Sequence, residues 1–299
     1  MRNTKKKLPV AIAMLIMTGV LAACQGSTAE ETTAALKEET SAEENKAEAE
    51  QEAEETQTEE NDKKDINIAC VETTQALVDK VVPLMEEMGY NMTYQVFDNN
   101  MNTLVACNDG SVDGVFVVHK PFMESFNEAN NGDLVMVEPY IYTSGMGLFS
   151  EKYDSVEDLP DGATIAIPND VMNMDRALRI LAGGGLITLA DGVDQYSITD
   201  ITENPKNIQL IDMDQTQTVR SLEDTDGSVS FFSHMRNAGK DFNSYLLRDA
   251  DPTAYPTSLV VKAENKDAKW ANDLNNAFLD DEVKAFAEEY YGGLYEYFE

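Results

Sequence analysis

Residues 66–97 read INIACVETTQALVDKVVPLMEEMGYNMTYQVF, and the periodicity of this stretch decides the fold class. The apolar run Ile66–Val71 predicts a strand, and Met92–Phe97 predicts a second one. Between them, Thr74–Met88 predicts an amphipathic helix that ends at Gly89. Its apolar face is formed by Leu77, Val78, Val81, Leu84, Met85 and Met88. A strand, a helix and a strand in this order are typical of a parallel α/β sheet.

The same alternation continues to the end of the chain. In the first block we expect a helix, a buried strand and a helix at Asn102–Asn108, Val112–Val118 and Pro121–Asn130. In a second block, strands and helices alternate at Ala163–Ile167, Asp170–Leu181, Ile208–Met213, Thr216–Leu222 and Gly227–Phe232. The last predicted elements are a strand at Ser258–Lys262 and a long helix at Asp267–Tyr290. Two such blocks predict two α/β lobes.

The segment Glu138–Ser150 joins the two blocks and turns at Gly145 and Gly147, which suggests a hinge. In open α/β sheets, ligands bind at the carboxyl ends of the strands. Two such edges that face each other across a hinge form a cleft that can close on a small molecule.

The first 24 residues predict where the protein works. Arg2 and the lysines that follow it precede an apolar run, Leu8–Val20, which is too short to span a bilayer. The run closes on Leu21-Ala22-Ala23-Cys24, which resembles the bacterial lipobox. We therefore expect residues 1–23 to be a signal peptide and Cys24 to carry the lipid that anchors an extracytoplasmic protein to the cell membrane. The alternative is an ordinary signal peptide with a chance cysteine.

Residues 24–65 are expected to form a disordered acidic tether after the lipidated cysteine. This segment has one leucine and no aromatic residue, so it cannot bury enough apolar surface to offset its ordering entropy. A spacer is the expected role, and an interaction element is the alternative. The whole chain carries a formal charge of −33, which disfavours nucleic acid as a partner.

Reactive side chains are few. Cys70 and Cys107 both lie in apolar runs, and their spacing neither requires nor excludes a disulfide. The only histidines are His119 and His234, so we expect no metal site, no cofactor and no enzyme activity.

Five ordered motifs carry a resemblance to a known family. They are DGVFVVHKPF at Asp113–Phe122, GMGLFSEKY at Gly145–Tyr153, DGATIAIPND at Asp161–Asp170, ENPKN at Glu203–Asn207 and RSLED at Arg220–Asp224. In this order they resemble the methionine-binding, NlpA-type lipoproteins of bacterial ABC importers, and the likeness extends over everything from Ile66 onward.

The resemblance implies an α/β, type II periplasmic-binding-protein fold, in which a two-strand hinge joins two α/β lobes. Lobe 1 would be Ile66–Thr143 with Thr257–Glu299, and lobe 2 would be Ser144–Pro256. The implied function is to capture a free amino acid, methionine or a related compound, and to deliver it to an ABC permease and ATPase pair. We expect a monomer that contacts the membrane through the lipid on Cys24.

Arg176 is the candidate that would hold the ligand's carboxylate, because its guanidinium offers a charge-assisted fork. It lies near the start of the predicted helix Asp170–Leu181, where the helix dipole also favours an anion. The alternatives are a surface arginine or an ion pair with Asp175.

Three further candidates come from the same motifs. His119 is expected at the cleft edge, Phe122 as an aromatic wall of the site, and Asn173 as a polar contact. The alternatives are a structural histidine, an ordinary core phenylalanine and a hydrogen bond at the start of a helix.

The chain also departs from the family pattern. Asn100 stands where methionine binders have a tyrosine, and Val117 replaces a phenylalanine. The late strand ends in Ser230-Phe231-Phe232-Ser233-His234 instead of Asn-Gly-Asn. Phe231 and Phe232 would supply a replacement aromatic wall, and Ser233 or His234 a replacement polar contact. These changes leave three alternatives open: a different amino acid, a short peptide, or a surface-interaction lipoprotein whose pocket has degenerated.

Overall fold

The computed structural model describes residues 63–299. The predicted signal peptide, Cys24 and the tether up to residue 62 lie outside the described residues. The strands are β1 Asp65–Val71, β2 Asn91–Phe97, β3 Gly114–Val115, β4 Leu134–Met136, β5 Tyr142–Ser144, β6 Met146–Phe149, β7 Thr164–Pro168, β8 Thr188–Leu189, β9 Ile201–Glu203, β10 Gln209–Met213, β11 Gly227–Phe231, β12 Leu247–Arg248, β13 Val260–Lys262 and β14 Tyr295–Tyr297. The α-helices are α1 Glu72–Glu87, α2 Asn100–Asn108, α3 Lys120–Asn130, α4 Val171–Gly183, α5 Phe232–Asn237, α6 Lys269–Ala277 and α7 Asp281–Tyr291.

The first sheet has five strands in the order β2-β1-β3-β13-β4. Strands β2, β1 and β3 are parallel, as the strand and helix alternation predicts. Strand β13 comes from near the end of the chain and runs antiparallel between β3 and β4. In its register Val260 lies opposite both Val115 and Met136.

The second sheet repeats this plan in the order β10-β7-β11-β6-β12. Strands β10, β7 and β11 are parallel, and β6 runs antiparallel to β11 and to β12. All of its strands come from one continuous part of the chain. Two small antiparallel pairs, β5 with β14 and β8 with β9, complete the set of paired strands within residues 63–299.

Helix α1 shows how the apolar pattern positions an element. Leu77, Val78, Val81 and Met85 are buried against the first sheet, as predicted. Met88, which was predicted to share their face, is 49% exposed. The prediction was wrong because Met88 is the C-cap residue, at the very end of the helix, where its side chain stays open to solvent.

Two predicted helices differ from the structure for the same kind of reason. The Thr216–Leu222 helix is a turn followed by a short 3₁₀ helix, Arg220–Glu223, because the Asp214 carboxylate accepts hydrogen bonds from the backbone N–H and hydroxyl of Thr216. The long C-terminal helix is divided into α6 and α7, because Asp280 caps the second helix by accepting from the backbone N–H of Glu282.

The predicted strand Val112–Val118 is also shorter than expected. Only Gly114–Val115 is a strand, although Val112, Phe116 and Val118 around it are buried. Both faces of this segment are buried, so its sequence is apolar over a longer stretch than the two residues that pair with neighbouring strands.

The chain crosses into the second sheet at Gly145, between β5, which pairs with β14, and β6. A Cβ atom on Gly145 would lie 2.4 Å from the ring of Phe232, and the backbone N–H of Phe232 donates to the carbonyl of Gly145 at 3.0 Å. The crossing therefore packs so closely that no side chain fits there. Within residues 63–299, no helix combines the length and the apolar character that a membrane span needs.

Candidate functional site

A cavity lies where the carboxyl ends of strands from both sheets meet. It contains about 480 Å³ of space not filled by atoms, open solvent at its mouth included. Asn100 follows β2, and His119 and the turn residue Gln215 follow β3 and β10. The cavity is lined by Thr73, Thr74, Asn100, Val117, His119, Tyr142, Ser144, Arg176, Gln215, Phe231, Ser233, His234, Tyr255, Thr257 and Tyr295. Most of these side chains carry hydroxyl, amide or ring nitrogen groups, so the cavity is predominantly polar.

Arg176 is the one charged side chain among these lining residues, and it is 1% exposed. Its Nε donates to Asp249 Oδ2 at 3.1 Å, and its Nη2 donates both to that carboxylate and, at 2.8 Å, to the carbonyl of Ser144. The ring of Tyr255 lies 3.9 Å from the guanidinium carbon. Burial lowers the pKa of Arg176, and the negative charge of Asp249 opposes that shift.

The remaining nitrogen of this guanidinium, Nη1, makes no hydrogen bond to any residue in 63–299. The sequence left two alternative roles for Arg176, a surface arginine or an ion pair with Asp175. Arg176 is buried and does form an ion pair, but its partner is Asp249. Asp175 pairs instead with Arg179, one helical turn along α4, at 2.8 Å. Arg176 can thus still donate from Nη1 to a ligand anion, while Asp249 balances the charge of the guanidinium.

A chain of hydrogen bonds behind the cavity wall fixes the orientation of two polar side chains. The Asp170 carboxylate, which caps α4, accepts from the backbone N–H of Asn173 and from its Nδ2, both at 3.0 Å. Asn173 therefore turns its carbonyl Oδ1 towards His119, and His119 Nε2 lies 3.0 Å from it. Since a carbonyl oxygen only accepts, His119 carries its proton on Nε2.

His119 is neutral and fully engaged. Its Nδ1 accepts from the backbone N–H of Phe122 at 3.2 Å, which caps helix α3. Burial, with a smaller contribution from the charge of Arg176, lowers the pKa of His119 to about 3. Both ring nitrogens are used by the protein, so His119 offers the cavity only its ring.

His234 and Gln215 form a further wall of the cavity. His234 Nδ1 lies 3.2 Å from the backbone carbonyl of Gln215 and donates to it. Burial lowers the pKa of His234, so the ring is neutral near pH 7. Asn173 Nδ2 also lies 3.4 Å from Gln215 Oε1, which links this wall to the buried chain behind His119.

The structure brings most of the predicted site residues together. The six that line the cavity are Asn100, Val117, His119, Arg176, Phe231 and Ser233, and His234 joins them. Phe122 does not line it, because its ring is buried in the core beside Val115 and Phe126. Asn173 is completely buried behind the wall, where it orients its neighbours. Phe232 packs in the core against Tyr245.

Sequence analysis missed several residues of the cavity. Gln215 and Tyr255 lie in irregular segments where no periodicity marks them. Ser144 precedes the Gly145 turn, and no sequence pattern distinguishes it from an ordinary turn residue. Its Oγ is buried without a hydrogen-bond partner in the described part of the chain. Asp249, the partner of Arg176, follows a two-residue strand that no pattern predicts.

The family model of the NlpA lipoproteins matches residues 65–296. The chain belongs to the NlpA lipoprotein family. As an NlpA-family protein it is 28% identical over 243 residues to the methionine-binding lipoprotein MetQ of Bacillus subtilis, a match that covers 78% of this chain and 88% of that protein.

Solved structures of similar proteins agree with this NlpA assignment. A nutrient-binding protein from Burkholderia cenocepacia, bound to methionine, is 27% identical, with a TM-score of 0.74, over 78% of this chain and 99% of the other. The substrate-binding protein of a methionine transporter from Streptococcus pneumoniae is 30% identical, with a TM-score of 0.73, over 79% and 96% of the two chains. The fold is therefore the α/β fold of periplasmic substrate-binding proteins, as predicted.

Proposed function

We propose that this NlpA-family protein is the substrate-binding protein of an ABC importer and captures a free amino acid in the cavity at Arg176. The observation that carries the proposal is a buried guanidinium that lines a cavity and keeps Nη1 available. A carboxylate there would receive a charge-assisted hydrogen bond in a place shielded from water, where such bonds are strong. Methionine is the reference ligand, because similar proteins are named for binding it.

Binding would follow from closure of two lobes, Ile66–Thr143 with Thr257–Glu299 and Ser144–Pro256. The sheets support this division, because no strand is shared between them and β13 returns to the first sheet after the second is complete. A ligand that contacts both lobes favours the closed form by its differential affinity for it. The protein would then act by binding alone, without catalysis.

The partners follow from the same proposal. A closed, loaded monomer would dock on an ABC permease that works with its ATPase. Lipid on Cys24 would hold the protein at the extracytoplasmic face of the cell membrane and raise its effective concentration near the permease. Relatives named as lipoproteins support this location.

Calorimetric titration of the full chain with L-amino acids tests the proposal. A ligand at one hundred times its Kd adds about 2.7 kcal/mol of stability, so a thermal-shift screen precedes the titration. We expect at least one amino acid to bind, and Arg176→Met to weaken it strongly. Arg179→Met is the matched control, because Arg179 lies on the same helix, is 45% exposed in its side chain and does not line the cavity.

Two results would contradict the proposal. If no amino acid or small peptide binds in a saturable way, a surface-interaction role with a degenerated pocket replaces it. If a ligand binds equally well to wild type and to Arg176→Met, the carboxylate is held elsewhere.

A further inference from the structure

Gln215 and His234 form a polar wall that the carboxylate-holding role of Arg176 leaves unexplained. Both line the cavity, and both also line an adjoining, wider cavity. Resting on the proposed function, we propose that this wall binds an amide group of the ligand. The amide belongs either to the side chain of an amino acid or to a peptide bond.

The buried hydrogen-bond chain orients Gln215. Because Asp170 accepts only, Asn173 must present its Nδ2 to it, and the same Nδ2 lies 3.4 Å from the Gln215 side chain. Gln215 therefore presents Oε1 to Asn173 and keeps its Nε2 for another partner. That Nε2 makes no hydrogen bond within residues 63–299, although Gln215 is only 8% exposed. Gln215 thus offers the cavity a hydrogen-bond donor.

His234 offers the complementary group. Its Nδ1 carries the proton, since it donates to the backbone carbonyl of Gln215. In a neutral imidazole the other nitrogen is then an acceptor. His234 Nε2 has no hydrogen-bond partner in the described part of the chain. The donor on Gln215 and the acceptor on His234 therefore belong to two residues that are joined by the hydrogen bond from the His234 ring to the Gln215 backbone carbonyl.

An amide matches this pair. Its carbonyl oxygen accepts from Gln215 Nε2, and its N–H donates to His234 Nε2. A thioether has no donor and is a weak acceptor, so it would leave both groups unpaired after closure. A site built to hydrogen-bond its ligand rejects an analogue that lacks those groups, because its own polar groups lose their partners.

Phe231 separates the amide wall from the carboxylate end. Its ring centre lies 5.6 Å from the guanidinium carbon of Arg176 and 5.5 Å from the ring centre of His234. The apolar ring would contact the aliphatic carbons between the two polar ends of the ligand. Arg176, Phe231 and the wall formed by Gln215 and His234 thus specify a carboxylate, a short aliphatic spacer and an amide.

The test compares ligands that differ in this group by calorimetric titration of the full chain. L-Glutamine and L-asparagine carry a side-chain amide, and L-alanyl-L-alanine carries a peptide amide. L-Methionine and L-norleucine are the apolar comparisons. We expect an amide-bearing ligand to bind at least about tenfold more tightly than norleucine. Whether the amino acids or the dipeptide bind identifies the source of the amide.

Substitutions of Gln215 and His234 test whether these two side chains cause the preference for an amide. Gln215→Met and His234→Phe should each weaken the amide-bearing ligand about tenfold or more, whereas norleucine should bind at least as tightly as before, because the apolar side chain removes a polar group that norleucine leaves unpaired. Gln209→Met, the same substitution at an exposed residue of β10, should change neither affinity. If Gln215→Met does not fold, Gln215→Glu retains the acceptor for Asn173 while it removes the donor, and it should show the same loss.

The outcomes separate this inference from the proposed function. Methionine or norleucine binding as tightly as every amide-bearing ligand, with Arg176 still required, would overturn the inference and leave the proposed function standing. Unchanged amide affinity in both wall variants would also overturn the inference. Absence of binding for all five ligands and for the other amino acids would overturn both.

Discussion

The buried pair of Arg176 and Asp249 gives the sharpest prediction, because it separates stability from binding. Their side chains are 2% and 5% exposed, and the guanidinium makes two hydrogen bonds to the same carboxylate oxygen. Arg176→Met removes both of these hydrogen bonds from the buried Asp249 carboxylate, whose remaining charged neighbour is Arg248, with its Nε 3.7 Å from Asp249 Oδ1. Removing one member of a buried pair costs about 3–5 kcal/mol. In a domain of this size that corresponds to a fall in Tm of about 6–20 °C.

The double variant Arg176→Met/Asp249→Leu should recover most of this loss. Replacing both members of a buried pair by apolar side chains of similar volume is often neutral or stabilising. Ligand binding should nevertheless stay lost in the double variant, because no guanidinium remains to hold a carboxylate. Thermal unfolding by circular dichroism and calorimetric titration on the same samples give the two readouts.

Two results would refute this reasoning. An Arg176→Met variant whose Tm equals that of the wild type would show that the pair contributes nothing to stability. A double variant that binds the ligand with wild-type affinity would show that the carboxylate does not depend on Arg176. Lys240→Met is a useful comparison, since Lys240 pairs with Glu151, whose side chain is 42% exposed, and has no contact with Asp249, so it should change Tm little.

Three other predictions concern stability and reactivity. The pKa of His119 is lowered from 6.5 to about 3 in the folded protein. Between these two pH values, His119 therefore takes up a proton only in the unfolded chain. The free energy of unfolding should therefore fall as the pH drops through this window, and His119→Gln should reduce the slope by up to about 1.4 kcal/mol per pH unit in urea titrations. Gly145→Ala should lower stability by about 1–3 kcal/mol in the same assay, because the added Cβ would meet an aromatic ring at 2.4 Å. Gly183→Ala, with no atom within 4 Å of its added Cβ, should leave stability unchanged or raise it. Cys70 and Cys107 are buried free thiols whose pKa values burial raises to about 12, so a thiol reagent at pH 8 should modify them only in denaturant.

The parallel halves of both sheets could be predicted from the sequence because their strands and helices are long and periodic. Strands β1, β2, β7 and β10 and helix α1 all lie close to their expected positions. The antiparallel strands β4, β6 and β12 were not predicted. They have two to four residues each, too few for a periodic pattern, and tertiary pairing determines them.

The site likewise contains residues that the sequence could identify and roles that only the structure shows. Arg176 and His119 could be identified because family motifs mark them, and both line the cavity. The sequence does not show that Asn173 would act through its neighbours, because that role depends on the positions of Asp170 and Gln215 in space. Hydrogen bonds between distant segments leave no periodic signal, so the orientation of the polar wall required the structure.

The place of β13 in the first sheet has a consequence for how the chain folds as it is made. All strands of the second sheet lie between residues 146 and 248, so the sheet can form once residue 248 has left the ribosome. The first sheet begins with the earliest strand, yet the position between β3 and β4 stays open until residues 260–262 arrive. Pairings between distant segments form slowly, since a long loop must close first. We therefore expect the second sheet to become native first, while β3 and β4 of the first sheet keep unpaired edges until residues 260–262 have been made.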